Sequence, residues 1–333
     1  MTMEELVKRL GQLFVLGFGG EEPSPAFLDF VQQEQIGGVI LFEENCPTHN
    51  AARENIRSIN LRLETPPLVA VDQEGGRVCR LKGAPVEFKA AAMYGRKNSM
   101  EHFREDYKRA VVFMMSLGIN LNLAPVADVF LDRNNACLQD RCFSSDPFMV
   151  AEFVRASVAV AHSQGMLCCL KHFPGLGSAT VDPHEAVARI DIDKLLWQHR
   201  ERIPFAAGVD AGADLIMTTH VIADRLDPRI VTGSPHVINE LIRDDLNFDG
   251  PVITDDLAMK GAESLGDFGR RAVASFNAGH DLLLFCHDFE ATVQAFDYFV
   301  DAVVEGEIPI DRVRVALDRV SGVKLKLGRP VLH

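Results

Sequence analysis

Residues 167–185 read LCCLKHFPGLGSATVDPHE. Four apolar residues lead into Lys171 and His172; the chain then breaks at Pro174 and Gly175, crosses small residues and delivers Asp182 and His184 two positions apart. An apolar run that stops at charged residues and turns on Gly and Pro reads as a buried parallel strand whose C-terminal end opens into a long loop. Chemistry is expected where that strand ends.

Working outward from it, seven further short apolar runs recur: Leu13–Phe18, Gly38–Phe42, Leu68–Val71, Asn120–Leu123, Leu215–Met217, Pro251–Ile253 and Leu282–Phe285. Between them lie amphipathic stretches with helical character, among them Met100–Leu117, Pro147–Gln164, Leu195–Ala211, Val237–Asp245 and Asp267–Ala278, with Phe289–Glu305 and Ile310–Leu327 closing the chain. Eight strands each followed by a helix predict an α/β fold, a (β/α)8 TIM barrel, rather than an open sheet. No linker, repeat or low-complexity segment interrupts the pattern, so residues 1–333 are expected to form a single domain.

The composition agrees. Apolar residues make up 47% of the chain and the mean hydropathy is +0.04, enough for a sizeable core. A formal net charge of −13 argues against a nucleic-acid partner. The opening MTMEELVKRLGQLFVLGFGGEE carries Glu4 and Glu5 early, and its apolar stretch is too short for a secretory signal or a membrane span. A cytoplasmic protein without a membrane partner is expected. Seven cysteines, an odd number without CxxC spacing, are expected to be reduced and structural.

Polar residues collect at the ends of the runs. Asp72 follows PPLVAV, Lys171 and His172 follow LCCL, Thr219 and His220 follow LIMT, and Asp255 and Asp256 follow PVIT. In a (β/α)8 barrel, residues at the C-terminal ends of different strands converge on one mouth. A lone Asp after a strand is often only a helix N-cap, but repetition at several ends points to a common site.

Three longer segments carry a family resemblance. VDQEGGRVCR (71–80) resembles the D-x-E-G-G-x-V-x-R segment of glycoside hydrolase family 3, KHFPGLGSATVDPH (171–184) resembles its K-H-F-P-G-H-G-x-T-x-x-D-S-H segment, and VITDDLAMKG (252–261) resembles its nucleophile segment. The likeness runs from GQLFVLGF and GGVILF near the start to NAGHDLLLF near the end, and the pattern is most similar to the single-domain bacterial β-N-acetylhexosaminidases of cell-wall recycling.

The resemblance implies a retaining exo-β-N-acetylglucosaminidase acting on a small glycan with terminal N-acetylglucosamine, such as a peptidoglycan fragment, with no cofactor and no metal. Asp255 matches the nucleophile. Asp256 is read as a structural partner, because adjacent residues leaving a strand point in different directions. The acid/base role falls to His184, assisted by Asp182; imidazole titrates near neutrality and can both give and take a proton. Asp72, Arg80, Arg141, Lys171 and His172 match sugar-contacting positions, a mixture of acceptors and donors suited to hydroxyl groups. Arg80 and Arg141 as structural ion-pair partners is the other reading.

Glu74, Gly75 and Gly76 are read as shaping a turn. His220 either lines the mouth or supports the nucleophile from the core. Two positions depart from the family pattern: Leu176 stands where PGHG has a histidine, and Pro183 precedes His184 in place of a serine. A β-glucosidase or glycosyl phosphorylase of the same family, or a catalytically silent sugar-binding protein, are the competing readings.

Overall fold

Each of the eight apolar runs forms a strand: β1 Phe14–Leu16, β2 Gly38–Leu41, β3 Leu68–Val71, β4 Leu121–Asn122, β5 Leu167–Phe173, β6 Leu215–Thr218, β7 Val252–Ile253 and β8 Leu283–Phe285. In the computed structural model, which describes residues 2–84, 87–179 and 187–328, each strand from β1 to β6 pairs in parallel with the next, and β8 returns to β1. The register runs Val15↔Gly38, Gly38↔Leu68, Ala70↔Leu121, Leu121↔Leu167, Cys169↔Leu215 and Ile216↔Val252, with Phe14↔Leu283. One further parallel bridge, Ile253↔Leu282, draws β7 against β8 and nearly completes the barrel. All residues of these strands are buried, as expected for a parallel sheet covered by helices on one side and filled by side chains on the other.

Helices follow the strands as the alternation predicts, and their starts are chemically specified. Ser24 and Asp146 accept from Phe27 and Phe148 amides ahead of Pro25 and Pro147, and Asp267 and Asp288 cap Phe268–Ala278 and Phe289–Glu305 by accepting from the Arg270 and Ala291 amides. Three expected helices differ in detail. Leu195–Ala211 divides into Lys194–His199 and Arg202–Asp210. The ring of Pro204 would meet the carbonyl of Arg200 in a continuous helix, so the chain bends there instead. Val237–Asp245 winds as a π-helix over its buried Val237, Ile238, Leu241 and Ile242, and nothing in its sequence explains the wider turn. The final α-helix, Ile310–Lys324, tightens into a 3₁₀ turn over Leu325–Gly328.

Two buried carboxylates fasten the far end of the barrel. Asp214, just before β6, accepts from Lys326 Nζ at 2.6 Å, His162 Nε2 at 2.8 Å and the Cys168 amide at 3.0 Å. Asp281, just before β8, is ringed by Arg243, Arg312 and Arg319 at 2.6, 3.0 and 3.4 Å. Both tie the C-terminal helix to the barrel floor, opposite the mouth. All seven cysteines are free thiols. Among the described residues no helix is long and apolar enough to cross a membrane.

Candidate active site

The mouth begins where β3 ends. Asp72 leads into a hairpin pairing Gln73–Gly75 with Val78–Cys79, and the turn runs through Gly75 and Gly76 at φ +93° and +60°. Glycine is required: a Cβ on Gly75 would stand 2.3 Å from the Lys89 carbonyl oxygen. Gln73 Oε1 accepts from the amides of Arg80 and Leu81, which fixes the return strand and presents Arg80 to the mouth. The Arg80 guanidinium lies 5.6 Å above the Phe42 ring, its Nη2 is 3.7 Å from Asp72 Oδ2, and its buried Nε has no hydrogen-bond partner.

Behind this hairpin the charged residues form a continuous chain. Lys171 Nζ sits 2.6 Å from Asp72 Oδ1 and 2.6 Å from Glu74 Oε1. Arg141 donates twice to Glu74, from Nε at 2.7 Å and Nη2 at 2.8 Å, and also from Nη2 to His172 Nε2 at 3.1 Å. Its Nη1 turns to the Cys137 carbonyl at 3.2 Å. Burial alone would raise the Glu74 pKa, but Arg141 and Lys171 hold it far below the ordinary carboxylate range. Burial likewise works against the charge on Lys171 and Arg141, and the facing carboxylates more than restore it, so both stay cationic. Glu74 therefore does more than shape a turn: it is the anion on which two buried cations rest.

The chain of contacts ends at Asp128, past the end of β4. Its carboxylate accepts from His172 Nδ1 at 2.7 Å, the His172 amide at 3.2 Å and the Leu176 amide at 2.6 Å. The loop after β5 is thus rooted through the backbone of Leu176, whose side chain is buried in the core. The histidine absent at this position is not needed for that anchor. Trp197 Nε1 adds a second tie, donating to the Pro174 carbonyl at 3.1 Å.

Across the mouth, Asp255 and Asp256 leave β7. The Asp255 amide donates to the Thr218 carbonyl, and its Oδ1 accepts from the Asp256 amide at 2.8 Å. Asp256 Oδ1 accepts from the amides of Ala258 and Cys286, a bracing role that matches its reading as a structural partner. Burial raises the Asp256 pKa against those two amides. His220 is fully buried, with Nδ1 2.7 Å from Thr232 Oγ1 and Nε2 donating to the Asp256 carbonyl at 2.9 Å. Of its two readings, the buried position fits the core one, in which His220 braces the segment that carries Asp255 and Asp256. Burial lowers its pKa despite the nearby Asp255, so it is held neutral.

These walls enclose a cavity of about 300 Å³ lined by Asp72, Arg80, Lys171, His172, Asp255 and His287, together with Glu74 and Arg141. The volume matches a small-molecule site. Six of the eight residues expected from sequence line it; Asp182 and His184, with Pro183 between them, lie outside the described residues. Sequence reading passed over His287, just past the end of β8, and Asp128, in the loop well beyond β4.

Asp72 and Asp255 offer carboxylate oxygens, Lys171, Arg80 and Arg141 offer donors, and the arrangement can hold a polyhydroxylated ring beside a carboxylate nucleophile. Among the described residues, His162, Cys168 and Asp214 group metal-ligating atoms at the barrel floor, but Asp214 already holds the Lys326 ammonium and burial keeps Cys168 protonated.

Known proteins match this chain along most of its length. Residues 2–323 match the model for the glycosyl hydrolase family 3 N terminal domain. A beta-hexosaminidase of Xanthomonas euvesicatoria is 34% identical over 281 residues, covering 83% of this chain and 84% of the relative. The structure of a family 3 beta-N-acetylglucosaminidase from Paenibacillus superposes with a TM-score of 0.93 at 28% identity, over 98% of this chain and 64% of that longer one. A beta-N-acetylhexosaminidase from Beutenbergia cavernae superposes with a TM-score of 0.89 at 28% identity, over 96% of this chain and 98% of that one. A (β/α)8 barrel with this mouth, matched along nearly its whole length, belongs to glycoside hydrolase family 3, and the protein is a glycoside hydrolase.

Proposed function

We propose that this hydrolase is a retaining exo-β-N-acetylglucosaminidase that releases terminal β-linked N-acetylglucosamine from small glycans such as peptidoglycan fragments. The observation that carries the reading is the placement of Asp255, braced at the end of β7, in one cavity with the Asp72–Lys171–Glu74–Arg141–His172 network. The network would hold the ring hydroxyls while the Asp255 carboxylate approaches the anomeric carbon. The names of the Xanthomonas and Paenibacillus relatives support the choice of sugar. The acidic chain and its free thiols suit a reducing, cytoplasmic compartment.

In the first step an Asp255 oxygen bonds to the anomeric carbon, the bond from that carbon to the leaving oxygen breaks, and His184 gives that oxygen its proton. In the second step His184 takes a proton from water, the water oxygen bonds to the anomeric carbon and Asp255 departs. The assignment of His184, with Asp182 beside it, rests on the D-x-H of the loop motif.

The test is a hydrolysis panel of aryl β-N-acetylglucosaminide, β-glucoside and β-N-acetylgalactosaminide, with and without phosphate, following the anomer first formed. Fastest release from the N-acetylglucosaminide with retained configuration, and at least a thousandfold loss in Asp255→Ala, is expected. Preference for the glucoside, sugar 1-phosphate as product, or binding without turnover would each replace the reading.

A further inference from the structure

We infer that Asp128 is a positioning residue that fixes the tautomer of His172 and so the orientation of Arg141 in the sugar cavity. The inference rests on the reading above only for its kinetic consequence.

A carboxylate is an acceptor only, so the 2.7 Å contact with Asp128 Oδ2 puts the His172 proton on Nδ1. The lone pair of Nε2 then faces Arg141 Nη2 at 3.1 Å, which is a donor in every protonation state. The other tautomer, the one imidazole favours in water, would set an Nε2–H against the guanidinium N–H. With Nδ1 protonated, every remaining link has a donor facing an acceptor: Arg141 to Glu74, Lys171 to Glu74, and Lys171 to Asp72. Asp128 is fully buried and lies outside the cavity lining, so it acts through His172 rather than on the sugar.

An amide cannot replace it. Three N–H groups converge on the Asp128 carboxylate: the His172 amide, His172 Nδ1 and the Leu176 amide. The asparagine of Asp128→Asn has one acceptor oxygen, and its NH₂ must oppose either Leu176 or His172. In the second orientation the imidazole proton moves to Nε2 and meets Arg141. In the first the loop root loses its acceptor.

Imidazole ¹⁵N spectra of the labelled enzyme test this, with the His172 signals identified by their loss in His172→Gln. The wild type is expected to show the Nδ1–H tautomer of His172. Asp128→Leu, which removes the acceptor altogether, is expected to lose that signature and at least tenfold in kcat/KM, while the double variant Asp128→Leu/His172→Gln loses less than the two single losses combined. An Nε2–H tautomer in the wild type, or fully additive losses, would overturn the inference. Because the spectrum needs no substrate, a failed N-acetylglucosaminide assay with the Nδ1–H signal intact would count against the functional reading alone.

Discussion

Glu74 and Arg141 meet through two parallel hydrogen bonds, Oε2 to Nε at 2.7 Å and Oε1 to Nη2 at 2.8 Å, across 67 residues of sequence. The same Oε1 receives Lys171 at 2.6 Å. One buried anion therefore orients two of the cations that face the cavity, and those cations in turn hold His172 and Asp72.

Removing that charge should be costly. Glu74→Gln keeps the shape but gives Arg141 a second donor where it had an acceptor, and leaves two buried cations short of an anion. Breaking a buried pair in this way costs about 3 kcal/mol or more. The expected result is a clear drop in the denaturation midpoint and at least a hundredfold loss of kcat/KM. A variant with normal activity and stability would mean that the network does not hold the donors in place.

Gly177 controls how closely the loops after β4 and β5 approach. A Cβ there would lie 1.7 Å from the Val129 carbonyl oxygen, and the Gly177 carbonyl accepts from the amides of Leu131 and Asp132 at 3.3 and 3.2 Å. Gly177→Ala must push apart two backbones at the root of the segment that leads to Asp182 and His184. A displacement of about 1 Å in a catalytic group can cost about a hundredfold in rate. The expected variant folds, binds a product-like sugar and turns over aryl glycoside at least tenfold more slowly; unchanged kcat would show that the loop root tolerates the shift.

Much of this was legible in the chain because buried parallel strands write themselves as short unbroken apolar runs, and all eight did. The strand at 167–170 extends to Phe173, taking in Lys171 and His172, because their polar heads are satisfied by Asp72, Glu74, Asp128 and Arg141. Contributions that depend on distant partners were not legible. Glu74 reads as a turn residue until Arg141 is placed beside it, and Asp128 in NLAPVADV has no periodicity to mark it. The split at Arg200 was readable in principle from Pro204.

Buried neutral histidines predict the acid limb of stability. Burial lowers the pKa of His220, and lowers that of His280 to about 3, where Nδ1 donates to the Ser275 carbonyl and Nε2 faces the Thr218 hydroxyl. Each folded-state pKa lies below the ordinary value of about 6.5, so unfolding takes up protons on acidification. The His280 contribution is complete above pH 6.5 and is lost as pH falls from there toward about 3, and His220, also lowered, adds a loss in the same direction below pH 6.5. Glu74, also lowered, adds a loss only below its ordinary range near 4.5. The melting temperature of His280→Gln, measured against wild type between about pH 6.5 and 4.5, should fall less steeply. Parallel profiles would show that His280 does not titrate as its burial requires.

The acid role proposed for His184 is separable from the nucleophile role proposed for Asp255 by the leaving group. Departure of a sugar alkoxide needs a proton, because its conjugate acid is weak, whereas an activated phenolate leaves well without one. A missing acid therefore slows the first kind of substrate far more than the second, while a missing nucleophile slows both. His184→Ala is expected to lose at least a hundredfold more kcat/KM on a β-linked disaccharide than on a dinitrophenyl N-acetylglucosaminide. With the activated substrate the second step should become limiting, since water then lacks its base, and an added small nucleophile such as azide should restore turnover by capturing the glycosyl group from Asp255. Equal losses on both substrates, with no rescue by azide, would assign the acid to another residue.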